Sequence, residues 1–239
     1  MLISESWVKD EPESELEKKF DANVYTSSRK TRSGGGVMII TSKLVFVEKK
    51  WCYSDDATEM IAIYTSNLNT TLIACYIPPT NRYNYTNTVE AFDELKEFLN
   101  TLPTDVNIIV YGDFNLNCLN YEKNEDDELE PVISGIPLEE EKEEQEFSGT
   151  TADRAIANKL VEFSDEFNLE QIVEKPTFRK QEDRGKSFLD RIFTNIEARS
   201  EVEHIESNKT RHDVLKVQME IAIVKEIDED REEEIELLT

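Results

Sequence analysis

Positive charge is what this chain has least of for its size: 27 Lys and Arg stand against 52 Asp and Glu, a net charge of −25 over 239 residues. Binding to a polyanion rests on Lys and Arg neutralising phosphates, so tight nucleic-acid binding is disfavoured from the outset. Long apolar runs are missing as well. No window of about 18 apolar residues occurs, which argues against a membrane-spanning helix. The opening Met1-Leu2-Ile3-Ser4-Glu5-Ser6-Trp7 has neither a basic segment nor a long apolar core after it, so no signal peptide is indicated. The expectation is an intracellular protein, nuclear or cytoplasmic, without a membrane partner. Cysteine is scarce: Cys52, Cys75 and Cys118 are odd in number, widely spaced and set among apolar or aromatic neighbours. That pattern suits reduced core thiols better than a disulfide framework or a zinc site. Internal repeats and heptads are absent.

The acids are unevenly spread. Residues 122–146 carry twelve acids and two bases, and 225–239 carry eight acids and two bases, so these two tracts hold 16 of the 25 net negative charges. Both are poor in aromatic residues and read as solvated segments. The first, taken as 122–148, is expected to be a disordered or weakly ordered insertion, with Pro131 and Pro137 interrupting any helix. The second is an acidic tail. The densest positive segments lie elsewhere, at Arg29, Lys30 and Arg32 and at Lys180, Arg184 and Lys186.

A length of 239 residues suits one large α/β domain. Leu2-Ile3 looks like the end of a strand whose beginning is absent, and a short helix is expected over 11–20. Gly34-Gly35-Gly36 could cradle a phosphate, but no helix start or Lys-Ser/Thr follows, so a hinge opening a strand over 37–41 is the better reading. Strand-like runs follow at 44–47, 59–65 and 71–77 as an antiparallel meander, with Asn67-Leu68-Asn69 turning between the last two. After Pro78-Pro79 comes a Tyr/Asn-rich loop over 81–87. Val89, Phe92, Leu95, Phe98, Leu99 and Leu102 then repeat at helical spacing up to Pro103. A second amphipathic helix is expected over 152–167, and short strands at 171–173, 188–194, 202–205 and 214–223.

The run Val106-Asn107-Ile108-Ile109-Val110-Tyr111-Gly112-Asp113-Phe114-Asn115 organises the rest. An apolar, β-branched strand ends in a Gly, an acid and an amide. If the backbone stays extended through Gly112, Asp113 and Asn115 project from one face. Such a pair can accept a proton, hold water or coordinate a hard cation. The competing reading is an Asx-type turn in which both side chains bond the local backbone.

The succession Glu5-Ser6-Trp7, Gly34-Gly35-Gly36-Val37, Tyr76-Ile77-Pro78-Pro79, Gly112-Asp113-Phe114-Asn115, Pro176-Thr177-Phe178, Leu189-Asp190 and a late His212 resembles the endonuclease/exonuclease/phosphatase superfamily, most closely the endonuclease domain of non-LTR retrotransposons. The resemblance spans about 1–222 and implies a domain over 1–224, lacking its first strand, followed by the tail. It implies an α/β fold, a four-layered α/β sandwich of two mixed, mainly antiparallel sheets packed face to face with outer helices. It also implies magnesium-dependent phosphodiester hydrolysis, with manganese as an alternative cofactor. By that resemblance Glu5 is the metal-binding carboxylate and Tyr76 the hydroxyl facing the scissile phosphate. Asp113 activates the attacking water, and Asn115 orients it and holds phosphate oxygens. Thr177 is a hydroxyl on the phosphate side, Asp190 pairs with the histidine, and His212 is the essential imidazole. His204 has no counterpart and reads as structural.

Two departures stand out. An Asn of the family's first strand has no equivalent here, and the family's Ser-Asp-His aligns with Thr210-Arg211-His212, so a guanidinium replaces a carboxylate. Asp213, on the other face of a strand from His212, is a poor substitute. The expectation is a DNA-nicking endonuclease weakened or inactivated in this chain, binding DNA weakly. The alternatives are a non-catalytic module that binds a protein partner through its acidic segments, or a phosphatase or phosphodiesterase acting on another phosphoester.

Overall fold

The computed structural model describes residues 1–8, 12–28, 35–55, 58–79, 85–124, 129–133, 150–179, 186–196, 202–206 and 211–219. Arg29, Lys30, Arg32, Lys180 and Arg184 lie outside them, as do 134–149 and the acidic tail.

The chain forms a four-layered α/β sandwich. Its larger sheet has six strands in the order β10-β13-β7-β6-β5-β4: Glu170–Gln171, Asp190–Thr194, Asn107–Asp113, Thr70–Tyr76, Glu59–Thr65 and Val47–Ser54. All neighbours are antiparallel except β6 and β7, which run parallel and are joined through helix α2, Tyr85–Leu99. The smaller sheet, β1-β3-β2, consists of Leu2–Ser4, Val37–Thr41 and Asn23–Ser27 and is antiparallel throughout. Helix α1, Glu13–Phe20, covers its outer face, and α2 with α3, Thr151–Glu166, covers the outer face of the larger sheet.

Three apolar layers hold these together. Strand β3 is buried at all five positions because both its faces are covered. Its Val37 and Ile39 meet Ile61, Ile63, Ala74 and Tyr76 between the sheets, while Met38 and Ile40 meet Leu16 and Val24 beneath α1. Strand β5 divides the same way: Met60, Ala62 and Tyr64 face the helices, and Ile61 and Ile63 face the smaller sheet. The helical period places Ala91, Phe92, Leu95 and Leu99 of α2 and Ile156, Ala157, Leu160 and Phe163 of α3 in one cluster. Fully burying each large apolar side chain contributes about 1.5–3 kcal/mol relative to leaving it exposed. Helix α3 starts with a reciprocal capping box, Thr150 Oγ1 accepting from Asp153 N–H while Asp153 accepts from Thr150 N–H.

Several local expectations need correction. The run at 44–47 is a turn with Leu44 and Phe46 exposed; the strand is β4, in which exposed and half-buried positions alternate because it is the sheet edge. Helix α2 starts at Tyr85, inside the expected loop. Cys52 is exposed on β4, whereas Cys75 and Cys118 are buried as free thiols. The acidic insertion is not disordered where it begins. Leu119–Lys123 (β8) pairs with Leu129–Ile133 (β9) as a hairpin, because Leu119, Tyr121 and Ile133 pack on the main core. Pro131 sits opposite Tyr121 in a two-stranded ribbon, the kind of edge position where a missing N–H is tolerated. The remaining pairs are Phe178–Arg179 (β11) with Lys186–Ser187 (β12), and Val202–Ile205 (β14) with Val214–Val217 (β15). No helix of the described residues is long and apolar enough to cross a membrane.

Candidate active site

Strand register assembles the first half of the site. Asp190 on β13 pairs with Asp113 on β7, Asp113 with Tyr76 on β6, and Tyr76 with Glu59 on β5. Residues paired across neighbouring strands project from the same face, so this row crosses four strands at one end of the sheet, on the side facing the smaller sheet. All four are buried: Asp190 is 2% exposed, Asp113 3%, Tyr76 5% and Glu59 0%. Glycine at 112 permits the close strand contact beneath Asp113, since a Cβ there would meet Cys75 O at 2.7 Å and Cys75 Cβ at 2.9 Å.

Two carboxylates side by side repel one another, and burial penalises the charge of each. Burial first, and the charge of Asp190 second, push the Asp113 carboxyl up to about 7, although His212 opposes the rise. Asp113 also accepts from Asn115 N–H at 3.3 Å. The backbone stays extended through Gly112 and Asp113 but not beyond. Asn115 adopts a left-handed conformation, φ 51°, and its Nδ2 donates to Ile77 O at 2.9 Å. The Asx-type turn and the polar pair therefore coexist: the turn is what folds Asn115 back beside Asp113. Phe114 N–H donates to Leu189 O and Ile77 N–H to Asp113 O, each at 2.9 Å, which ties the turn to both neighbouring segments.

Segments outside this sheet bring the second half. Glu5 follows β1 with φ 51°, and its Oε1 accepts from the Tyr76 hydroxyl at 2.7 Å. His212 lies in an isolated bridge with Phe178, whose ring packs against the imidazole with centroids 4.7 Å apart. Its Nδ1 is 2.8 Å from Asp190 Oδ2. With a carboxylate as acceptor Nδ1 is the donor, so the ring addresses a third group through Nε2. Burial works against a charge on His212, but the hydrogen bond and charge of Asp190, reinforced by Asp113 and Glu5, outweigh it and raise its pKa above the ordinary value. Thr177 lies behind the acid rather than beside the opening: it is fully buried, and its Oγ1 accepts from Asp190 N–H at 3.0 Å. Arg211 is exposed. Asp213 points to the other side of its segment, 3.7 Å from both Arg179 Nε and His204 Nδ1.

Glu5, Asp113 and His212 each offer a ligand atom, all within 4.8 Å of one another. Two carboxylates and one imidazole form a donor set suited to a hard divalent cation, manganese tolerating the nitrogen better than magnesium. Two framing residues carry no sequence motif. Glu59 accepts from Gly36 N–H at 2.9 Å, and its only signal is an acid opening an apolar strand. Arg191, fully buried next to Asp190, donates to the carbonyls of Leu116 and Leu119 and so pins the loop after Asn115; burial lowers its pKa to about 10.

The sequence matches a family model described as endonuclease-reverse transcriptase over residues 70–213, more than half of the chain. No curated protein matches it. Among solved structures it is similar to an AP endonuclease from Archaeoglobus fulgidus, at 15% identity and TM-score 0.57, covering 92% of this chain and 88% of that one. A 3'-5' exonuclease from Neisseria meningitidis aligns at 12% identity and TM-score 0.54, over 92% and 88% of the two chains. Truncated TDP2 from Caenorhabditis elegans aligns at 15% identity and TM-score 0.51, over 92% and 83%. At these identities the likeness is one of fold.

Proposed function

The chain belongs to the endonuclease-reverse transcriptase family, within the endonuclease/exonuclease/phosphatase superfamily, and from that premise we propose that it is a divalent-metal-dependent phosphodiester hydrolase that nicks DNA slowly. The observation that supports this reading most is the convergence of Glu5, Asp113 and His212 donor atoms within 4.8 Å from three separate segments. Asp113 takes the proton of the attacking water. A carboxyl raised to about 7 has the basicity that general-base catalysis near neutral pH favours. Asp190 holds His212, and the cationic imidazole it favours stabilises charge on the phosphate oxygens; in that form the ring has no lone pair for a metal ion, which falls to the carboxylates. Asn115 presents its amide beside Asp113 to orient water and phosphate, and Tyr76 acts by holding Glu5. Thr177 acts through the backbone of Asp190. Glu5 is the principal residue for holding magnesium or manganese. When bound, such an ion supplies Lewis-acid polarisation of the phosphate and stabilises the leaving oxygen.

Arg211 lowers the rate by putting a guanidinium where the family pattern has a carboxylate beside the histidine. DNA is held weakly and with strong salt dependence through the basic segments around Arg29 and Arg184. Supercoiled-plasmid nicking with magnesium or manganese tests the reading, comparing the chain with Arg211→Asp, and with Asp113→Ala as the blank. Metal-dependent nicking that vanishes in the blank supports it. The net charge of −25 favours a second reading, a non-catalytic module with a basic protein partner, which predicts no nicking in any variant.

A further inference from the structure

Trp7 is 64% exposed, although an indole is among the side chains with most to gain from burial. Its backbone is left-handed, φ 56°, which is rare for a bulky residue and persists only where surrounding contacts enforce it. Those contacts are specific. Trp7 N–H donates to Gly35 O and Ser6 N–H to Gly36 O, each at 2.9 Å. Gly35 and Gly36 have φ of 80° and 86°, and a Cβ on Gly36 would meet Ser6 Oγ at 2.5 Å. Gly36 N–H in turn donates to the fully buried Glu59. Glu59 neighbours Tyr76 in the polar row, and Tyr76 holds Glu5, two residues before Trp7. A closed circuit of hydrogen bonds and strand pairing therefore fixes the backbone of an exposed indole to the frame that fixes the candidate metal carboxylate. The exposed Leu44 and Phe46, by contrast, follow the opposite end of β3.

We propose that Trp7 is a stacking platform for a nucleobase flanking the phosphate at the Glu5–Asp113–His212 site, which makes the substrate a polynucleotide strand with an unstacked base. The proposal rests on the phosphodiesterase reading of that site. An indole face attracts flat aromatic groups, and among phosphodiesters a polynucleotide is the class that carries one beside every phosphate. Stacking of this kind is tolerant of sequence, so Trp7 confers a preference for base-bearing strands and none among the bases.

The test uses the full chain carrying Asp113→Ala, at low salt, with two probes: an oligothymidylate, and a strand of equal length built from abasic units. Trp51→Phe in the same background isolates the Trp7 fluorescence. The expected result is quenching by oligothymidylate, binding weakened about tenfold by Trp7→Ala and largely retained by Trp7→Phe, with binding of the abasic strand unchanged by either. Equal weakening of both strands by Trp7→Ala, with unaltered thermal melting, would overturn the stacking role and mark Trp7 as a general contact. No effect on either strand would overturn it too, leaving the hydrolase reading intact. If neither strand binds the Asp113→Ala chain with Trp7 in place, the proposal and the nuclease reading fail together.

Discussion

The candidate site has two halves built on different principles. Asp113, Asp190 and Tyr76 stand in one buried register row of the six-stranded sheet; Asp113 and Tyr76 are paired with strands on both sides, and Asp190 with Asp113 on one side and the Thr177 hydroxyl on the other. Glu5, Asn115 and His212 are half-buried, come from turns or an isolated bridge, and are held by side-chain hydrogen bonds to the first group or its neighbours. The difference separates proton chemistry from ligand contact. A base whose pKa is set by burial must sit where the surroundings cannot relax, whereas groups that meet a cation or phosphate must reach solvent.

The sharpest break is Asp113→Ala. We expect nicking to fall by about 10³-fold, in line with loss of a general base, with the loss in kcat rather than KM. The milder Asp113→Asn reports the cost of the burial. A carboxyl with a folded pKa near 7 and an ordinary value of 3.8 keeps its proton in the native state over a window where the unfolded chain has released it. The native state then binds more protons between about pH 4 and 7, so metal-free stability falls as pH rises through that window. The raised His212 pKa acts in the same direction, its contribution being full below its ordinary 6.5 and lost as pH rises through the folded value. Asp113→Asn should flatten the profile and raise stability at pH 8, by roughly 4 kcal/mol at most. Urea melts across pH measure this, and an unchanged slope would refute burial as the cause.

Asp190→Asn tests the link between the halves. Nicking should drop about 10²-fold, and NMR titration should show the His212 pKa falling, because burial remains while its counter-charge is removed. Gly112→Ala attacks the sheet half alone. The added methyl meets a backbone oxygen at 2.7 Å that cannot yield cheaply, so stability should fall by about 1–3 kcal/mol in thermal or chemical melts. Tyr76→Phe should have the smallest effect, loosening Glu5 and weakening activation by magnesium several-fold with little change in melting, since one hydrogen bond is worth about 1 kcal/mol.

Local pattern carried much of the architecture. The all-apolar Val37–Ile40 stretch and the apolar spacing of Phe92, Leu95 and Leu99 specify a strand and a helix without reference to the rest of the chain, because period and β-branching act within a few residues. Residue chemistry likewise singled out Asp113 and Asn115, and the family resemblance added Asp190 and His212. Composition misled where it averaged over a mixed segment: twelve acids over 122–146 hid the strand Leu129–Ile133, which pairs with Leu119–Lys123 because Leu119, Tyr121 and Ile133 pack on the main core. What only the tertiary structure decided is non-local. Residues 190, 113, 76 and 59 form a row because of strand register, which depends on partners up to 77 positions apart in sequence. The Asp113 pKa, the left-handed backbone at Glu5, Trp7 and Asn115, and the anchoring of Gly36 by Glu59 depend on what other segments place around them. Desolvation and charge proximity are properties of assembled surroundings, and no window of sequence contains them.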